Sequence, residues 1–217
     1  MSKRQLPPNA SVASEIDNGR LIAPAASRNV DALCALVQRI APAHGNALEL
    51  ASGTGQHVAS FARALPDMHW HPTEIDPGRR ASIDAYTADL PNVSRAAHLD
   101  ATQSGWHTGF EGFDLIVLIN LLHLIDWTEA QTLISEAALA LRPTGRLILY
   151  GPFMRSGQLT SDGDRRFHQA LIQQDPDIGY KSDNRILALL TGNGLEMAEQ
   201  IEMPANNLAF VARTRAS

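Results

Sequence analysis

The residues best suited to chemistry lie in the run Asn46-Ala-Leu-Glu-Leu-Ala-Ser-Gly-Thr-Gly-Gln-His57, where an acid precedes two closely spaced glycines. Gly53 and Gly55 can adopt positive φ and carry no Cβ, so the backbone can reverse sharply and expose amides at the start of a helix. Glu49, four residues ahead of Gly53, puts a negative charge beside that turn. A carboxylate there suits a positively charged ligand group better than a phosphate. Asp76, about twenty residues past the glycines, stands where an acid at a strand's end accepts both ribose hydroxyls. Asp100, with the Ala101 amide, can hold an adenine edge. Each acid alone is an ordinary loop residue; three in succession at strand ends suggest a site.

Two cofactor classes use such a turn. A dinucleotide site needs a third small residue in Gly-x-Gly-x-x-Gly/Ala and seats a pyrophosphate on the helix start. Val58 occupies that third position. The acid before the turn favours S-adenosylmethionine, which carries an ammonium and a cationic sulfur, and Ser52 lies in the loop that would meet it. Arg28 and Asn29, at the start of an earlier helix, can reach the carboxylate of a bound amino acid.

These groups need a scaffold. Ala47, Leu48 and Leu50 suit a buried strand, and Val58, Ala59, Phe61, Ala62 and Leu65 follow at helical spacing. Ala25 to Ile40 forms a helix ahead of the turn, ended by Pro42 and Gly45. Met68 to Ile75 is a second strand, blemished by Pro72, and Val93 to Leu99 a third. Phe113 to Leu122 is the most apolar stretch and reads as a central parallel strand buried on both faces; Asn120 and His123 at its end should border the cleft, since ligands of open α/β sheets lie at the strands' carboxyl ends. Arg146 to Gly151 is the fifth strand, carrying Tyr150. Residues 152–182 form a cap insertion over the cleft with a short helix from Phe167 to Gln174. Leu195–Met203 and Leu208–Ala212, joined by Pro204-Ala-Asn-Asn207, form an edge hairpin, the connection being too short for a parallel crossover.

The expected architecture is one α/β, Rossmann-like domain over 21–217, with a seven-stranded, mostly parallel sheet, an antiparallel C-terminal hairpin and a flexible arm over 1–20. With 44% hydrophobic and 19% charged residues in 217, the composition is that of a soluble globular chain. A formal charge of -5 argues against nucleic acid as a partner. No run is long enough to span a membrane and no targeting segment is visible, so no membrane is expected. The single cysteine, Cys34, fits a reducing cytoplasm and reads as a buried apolar residue. The histidines lack metal-ligand spacing, so no metal is expected.

Several candidates remain open at this level. His123 can be a general base or can shape the pocket by hydrogen bonding. Tyr150 can orient substrate or pack. Asn206 and Asn207 can cap a tight turn.

Ala25-Ala-Ser-Arg-Asn29, Glu49-Leu-Ala-Ser-Gly-Thr-Gly-Gln-His57, Leu99-Asp-Ala-Thr102, Asn120-Leu-Leu-His123, Tyr150-Gly-Pro-Phe153 and Met203-Pro-Ala-Asn-Asn207 together resemble a methyltransferase-like family of unknown function within the class I methyltransferases. Two features depart from it: Ala51 stands at the superfamily motif's first glycine, and the cap has Phe167-His168 and Asp175-Pro-Asp-Ile-Gly-Tyr-Lys-Ser182 where an indole, an arginine and two acids are expected. The resemblance implies an S-adenosylmethionine cofactor held by Glu49, Gly53, Gly55, Asp76 and Asp100. It also implies a substrate site involving Phe153 and Asn206 or Asn207. The resulting expectation is methyl transfer to a small-molecule substrate; a non-catalytic cofactor-binding module and a nicotinamide-dependent oxidoreductase are the alternatives.

Overall fold

A computed structural model describes residues 12–15 and 18–215; most of the expected N-terminal arm, 1–11, lies outside them. Two short strands, β1 (Ser14–Glu15) and β2 (Leu21–Ile22), pair antiparallel ahead of helix α1 (Pro24–Ile40). There follow β3 (Gly45–Leu50), α2 (Gln56–Ala64), β4 (Met68–Pro72) and α3 (Pro77–Thr87). Next come β5 (Phe113–Ile119), α4 (Trp127–Ala140) and the long β6 (Leu141–Met154). The chain closes with α5 (Asp162–Gln174), β7 (Lys181–Ser182), α6 (Asp183–Gly192), β8 (Leu195–Met203) and β9 (Asn207–Thr214).

Strands β3 to β9 form one seven-stranded sheet in the order β4-β3-β5-β6-β9-β8, with β7 pairing β6 beyond that path. β3 pairs parallel with both β4 and β5, and β5 with β6, whereas β9 runs antiparallel to β6 and β8. The mostly parallel sheet and the C-terminal antiparallel hairpin are as expected, but the seventh strand is different. Val93 and Ala97 make only isolated bridges to Trp70 and Thr73. Pro72 explains the gap: having no N–H, it cannot donate, so the pairing skips from Ser94 N–H on the Trp70 carbonyl to Ala97 N–H on the Pro72 carbonyl. The place in the count goes to β7, where the chain returns from the cap.

Apolar side chains fill both faces of the sheet. Leu33, Val37, Val58, Phe61 and Trp70 belong to the layer beneath α1 and α2, and Leu133, Ala137, Ile186 and Phe210 to the layer beneath α4 and α6. Burying such side chains contributes roughly 1.5–3 kcal/mol each, which anchors the strand ends that carry the polar groups. The cap helix begins earlier than expected, at Asp162, because Ser161 and Asp164 form a reciprocal capping box. Leu171, Ile178 and Tyr180 give the cap a small core of its own. Among the described residues no helix is long and apolar enough to cross a membrane.

Candidate functional site

A cavity of about 650 Å³ opens at the carboxyl ends of β3, β4 and β5, within the usual size of a small-molecule site. Arg28, Glu49, Ser52, Gly53, Asp100, Ala101 and Asn120, among the residues expected to hold a cofactor, line it. The turn after β3 is built on backbone conformations few residues tolerate. Ala51 holds φ +50° where the motif has glycine, and Gly53 holds φ +59° with open space where a Cβ would project. Asn120 also takes a positive φ, +56°, a region asparagine enters more readily than most residues.

Glu49 is 1% exposed, and its Oε2 has no hydrogen-bond partner. Burial pushes its carboxyl up to about 8, Ser52 opposes the rise, and the nearby Glu74 carboxylate adds to it. A buried, unsatisfied acceptor at a cavity wall is costly unless a ligand supplies a donor. An ammonium is one group that supplies such a donor.

The acid at the end of β4 is Glu74, and not Asp76. Glu74 lines the cavity, and its Oε2 accepts from Gly53 N–H at 3.0 Å while Oε1 accepts from the Ile75 and Asp76 amides. Asp76 is the N-cap of α3, accepting from Arg79 N–H at 2.9 Å, and is not among the lining residues. The sequence carried a signal for this: Asp followed by Pro is an N-cap and first-turn pair, which leaves Glu74 as the strand-end acid. Asp76→Ala should therefore cost about 1 kcal/mol of stability, the usual value of a cap, and leave ligand affinity within about twofold. Urea denaturation and calorimetry on the one variant check both.

Other expectations are corrected by position. Gly55 does not line the cavity; a Cβ there would meet the Ile83 Cα at 2.7 Å, so this glycine lets α3 pack against the turn. Asn29 is buried behind the wall, its Oδ1 2.8 Å from His57 Nε2. His57, which sequence reasoning passed over, lines the cavity, and burial lowers its imidazole to about 4. Its position two residues past Gly55, on the helix that the turn launches, was the available clue.

His123 is buried away from the cavity lining, its ring packed edge-on against Phe167 and Tyr180 of the cap. Burial, with Lys181 adding to it, lowers its ring to about 3. It stays neutral at physiological pH and is a seam residue between the chain after β5 and the cap. Phe153 belongs to the core, edge-to-face with Phe210 at 4.9 Å, because β6 continues through it to pair with β7. Asn206 donates to Asp164 of the cap helix at 3.2 Å, and Asn207 Nδ2 to the Pro204 carbonyl at 2.9 Å. Ala205 and Asn206 hold φ of +57° and +59°, the left-handed pair of a type I′ turn, so both asparagines serve the hairpin. The Tyr150 hydroxyl is buried without closing a hydrogen bond, and burial raises its pKa against the opposing Asn29 and Asn207 side chains. Among the described residues no group of three or more His, Cys, Asp or Glu gathers as a metal would require.

The fold is shared with solved methyltransferases. An O-methyltransferase family protein from Burkholderia thailandensis superposes with a TM-score of 0.76 at 18% identity, covering 89% of this chain and 57% of its own. Human N-acetylserotonin methyltransferase, solved in complex with SAM, gives 0.73 at 13% identity, covering 88% and 53%. An O-methyltransferase family 2 protein from Planctomyces limnophilus, solved with apigenin, gives 0.69 at 17% identity, covering 87% and 62%. The chain thus spans little more than half the length of these proteins, and at such identities the likeness is one of fold: the α/β architecture of class I methyltransferases. A family model described as "Protein of unknown function (DUF938)" matches residues 20–214, and the chain belongs to that family.

Proposed function

We propose that this chain is an S-adenosylmethionine-dependent methyltransferase acting on a small molecule. One observation carries the reading: the buried Glu49 carboxyl at the cavity wall, whose Oε2 has no hydrogen-bond partner, with a second carboxylate, Glu74, beside it. Two acids favour a ligand bearing positive charge. They disfavour a nicotinamide dinucleotide, whose pyrophosphate would meet them at the turn, and the Gly53 amide that a phosphate would use is already given to Glu74. In this reading Glu49 holds the ammonium, and Arg28, exposed at the rim, meets the amino-acid carboxylate. Glu74 takes the ribose hydroxyls, and Asp100 and Ala101 the adenine. Asp100 is preset for it, since Thr102 donates to its Oδ1 from both N–H and hydroxyl.

When bound, the cofactor supplies a methyl group on a cationic sulfur. The protein's part is positioning: reaction needs the acceptor in line at roughly 3 to 3.5 Å, in a cleft that excludes water. Calorimetry tests the reading. S-adenosylhomocysteine is expected to bind and NAD not to, and Glu74→Ala should weaken binding at least tenfold. Affinity for NAD alone would remove the proposal. Transfer of labelled methyl from S-adenosylmethionine to small molecules separates an enzyme from a module that only binds the cofactor.

A further inference from the structure

The N-terminal hairpin is hydrogen-bonded to the glycine turn itself. Successive amides of a strand point to opposite sides, and the chain around β2 uses both. Ile22 pairs with Ser14 of β1, while the amides on either side of it face the body of the protein. Leu21 N–H donates to Ser82 Oγ at 2.8 Å, and Ala23 N–H to Gln56 Oε1 at 2.7 Å. Both acceptors hold Thr54 as well. The Ser82 hydroxyl donates to the Thr54 carbonyl at 2.7 Å, and the Thr54 hydroxyl donates to the same Gln56 oxygen at 2.9 Å. Gln56 Nε2 donates to Ser27 Oγ of α1, so the amide's orientation is fixed from both ends. Arg20 adds a third fastening, with Nε on the Ala85 carbonyl at 3.1 Å and its guanidinium over the Tyr86 ring.

Thr54 lines the cavity between the two glycines, and the hairpin reaches the same space. Val12, two residues ahead of β1, and Ala23, just past β2, belong to the cavity wall. Among the described residues three large apolar side chains are exposed, and two of them, Val12 at 46% and Ile75 at 53%, line this cavity. Apolar side chains left open in a concave site are what a bound ligand covers.

We propose that the N-terminal hairpin is a wall of the ligand site, contacting the ligand through Val12 and held in register with the glycine turn by Ser82 and Gln56. The ligand's identity rests on the cofactor reading above; the fastening of hairpin to turn does not. A hairpin that detaches takes Val12 out of the cavity and strips Ser82 and Gln56 of the amides they accept. Bound ligand and detached hairpin therefore exclude one another, and the effect is reciprocal: the ligand holds the hairpin down, and the hairpin holds the ligand.

Hydrogen exchange on the full chain measures this. S-adenosylhomocysteine at about 100 times its Kd should slow exchange at the Leu21 and Ala23 amides by about 100-fold, while amides on the outer edge of β8, the last strand of the sheet, keep their rates. Val12→Ser should bind S-adenosylhomocysteine roughly three- to tenfold more weakly. Its unfolding midpoint should not move, because the side chain is half exposed and lies outside the main sheet. In the ligand-free protein, Gln56→Ala should speed exchange at Leu21, Ala23 and Gly55 together, the Gly55 amide being closed within the turn on the Ser52 carbonyl. Unprotected Leu21 and Ala23 amides in the saturated protein, or full affinity in Val12→Ser, would overturn the hairpin's part in the site. An unmoved Gly55 amide in Gln56→Ala would overturn the coupling. Failure to bind S-adenosylhomocysteine would instead sink the cofactor reading, and Gln56→Ala in the free protein would still decide whether hairpin and turn move as one.

Discussion

Glu49→Gln is expected to bind S-adenosylhomocysteine about 100-fold more weakly than the parent while being the more stable protein above pH 5. The first effect follows from removing one partner of a buried charge pair, which costs roughly 2–5 kcal/mol. The second follows from linkage. The Glu49 carboxyl titrates near 8 in the folded chain, against an ordinary value of 4.5. Between those values the folded state keeps a proton that the unfolded state has released, so stability falls as pH rises, by up to about 1.4 kcal/mol per unit, and levels off above pH 8. Glutamine resembles the protonated carboxyl and has no charge to lose, so this slope disappears. Binding carries the matching signature. At pH 7 the free site is protonated, and an ammonium ligand would expel that proton. Affinity should rise with pH toward about 8, and fall only at higher pH, where the ligand's own amine loses its charge. Urea titrations at pH 5 and 8, and calorimetry in buffers of different ionisation enthalpy, measure both. A stability slope unchanged by the substitution, or binding without proton release, would refute the role assigned to Glu49.

The second large effect is expected at Gly55, and on folding rather than on chemistry. Its φ of +92°, and the 2.7 Å that would separate an added Cβ from the Ile83 backbone, leave no side chain a place. Left-handed strain and overpacking each cost about 1–3 kcal/mol, so Gly55→Ala should lose roughly 2–4 kcal/mol in urea denaturation. Gly53→Ala is the contrast. With φ +59° and open space around the added carbon, it should lose about 1 kcal/mol and chiefly obstruct the ligand. Equal losses at the two positions would show that the helix–turn contact is not the reason for the second glycine.

Much of the cavity wall is legible in the sequence because it is local. Glu49, Ser52 and Gly53 sit on one strand and the turn that follows it, and Asp100, Ala101 and Asn120 sit at the ends of apolar or strand-like runs. Hydrophobic periodicity finds those runs, and parallel sheets place ligands at their ends. Where two nearby residues compete for one role, spacing alone misleads. Asp76 and Glu74 are both acids at the end of β4, and the proline after Asp76 decides between them by making it a helix cap.

Other assignments needed contacts between distant segments. Asn206 is tied to Asp164 and His123 to Tyr180 by the fold of the cap, and β6 reaches Phe153 because β7 is there to pair with it. His57 lines the cavity from the start of α2, and its tie to Asn29 exists because α1 packs against that helix. Taken alone, the sequence determined the α/β class, the strand-turn-helix around the glycines and the acids beside them, since backbone preference and hydrophobic spacing act over a few residues. Only the tertiary structure decided which polar groups face the cavity and which are spent on one another, because a hydrogen bond or a buried charge depends on neighbours that the chain supplies from far away.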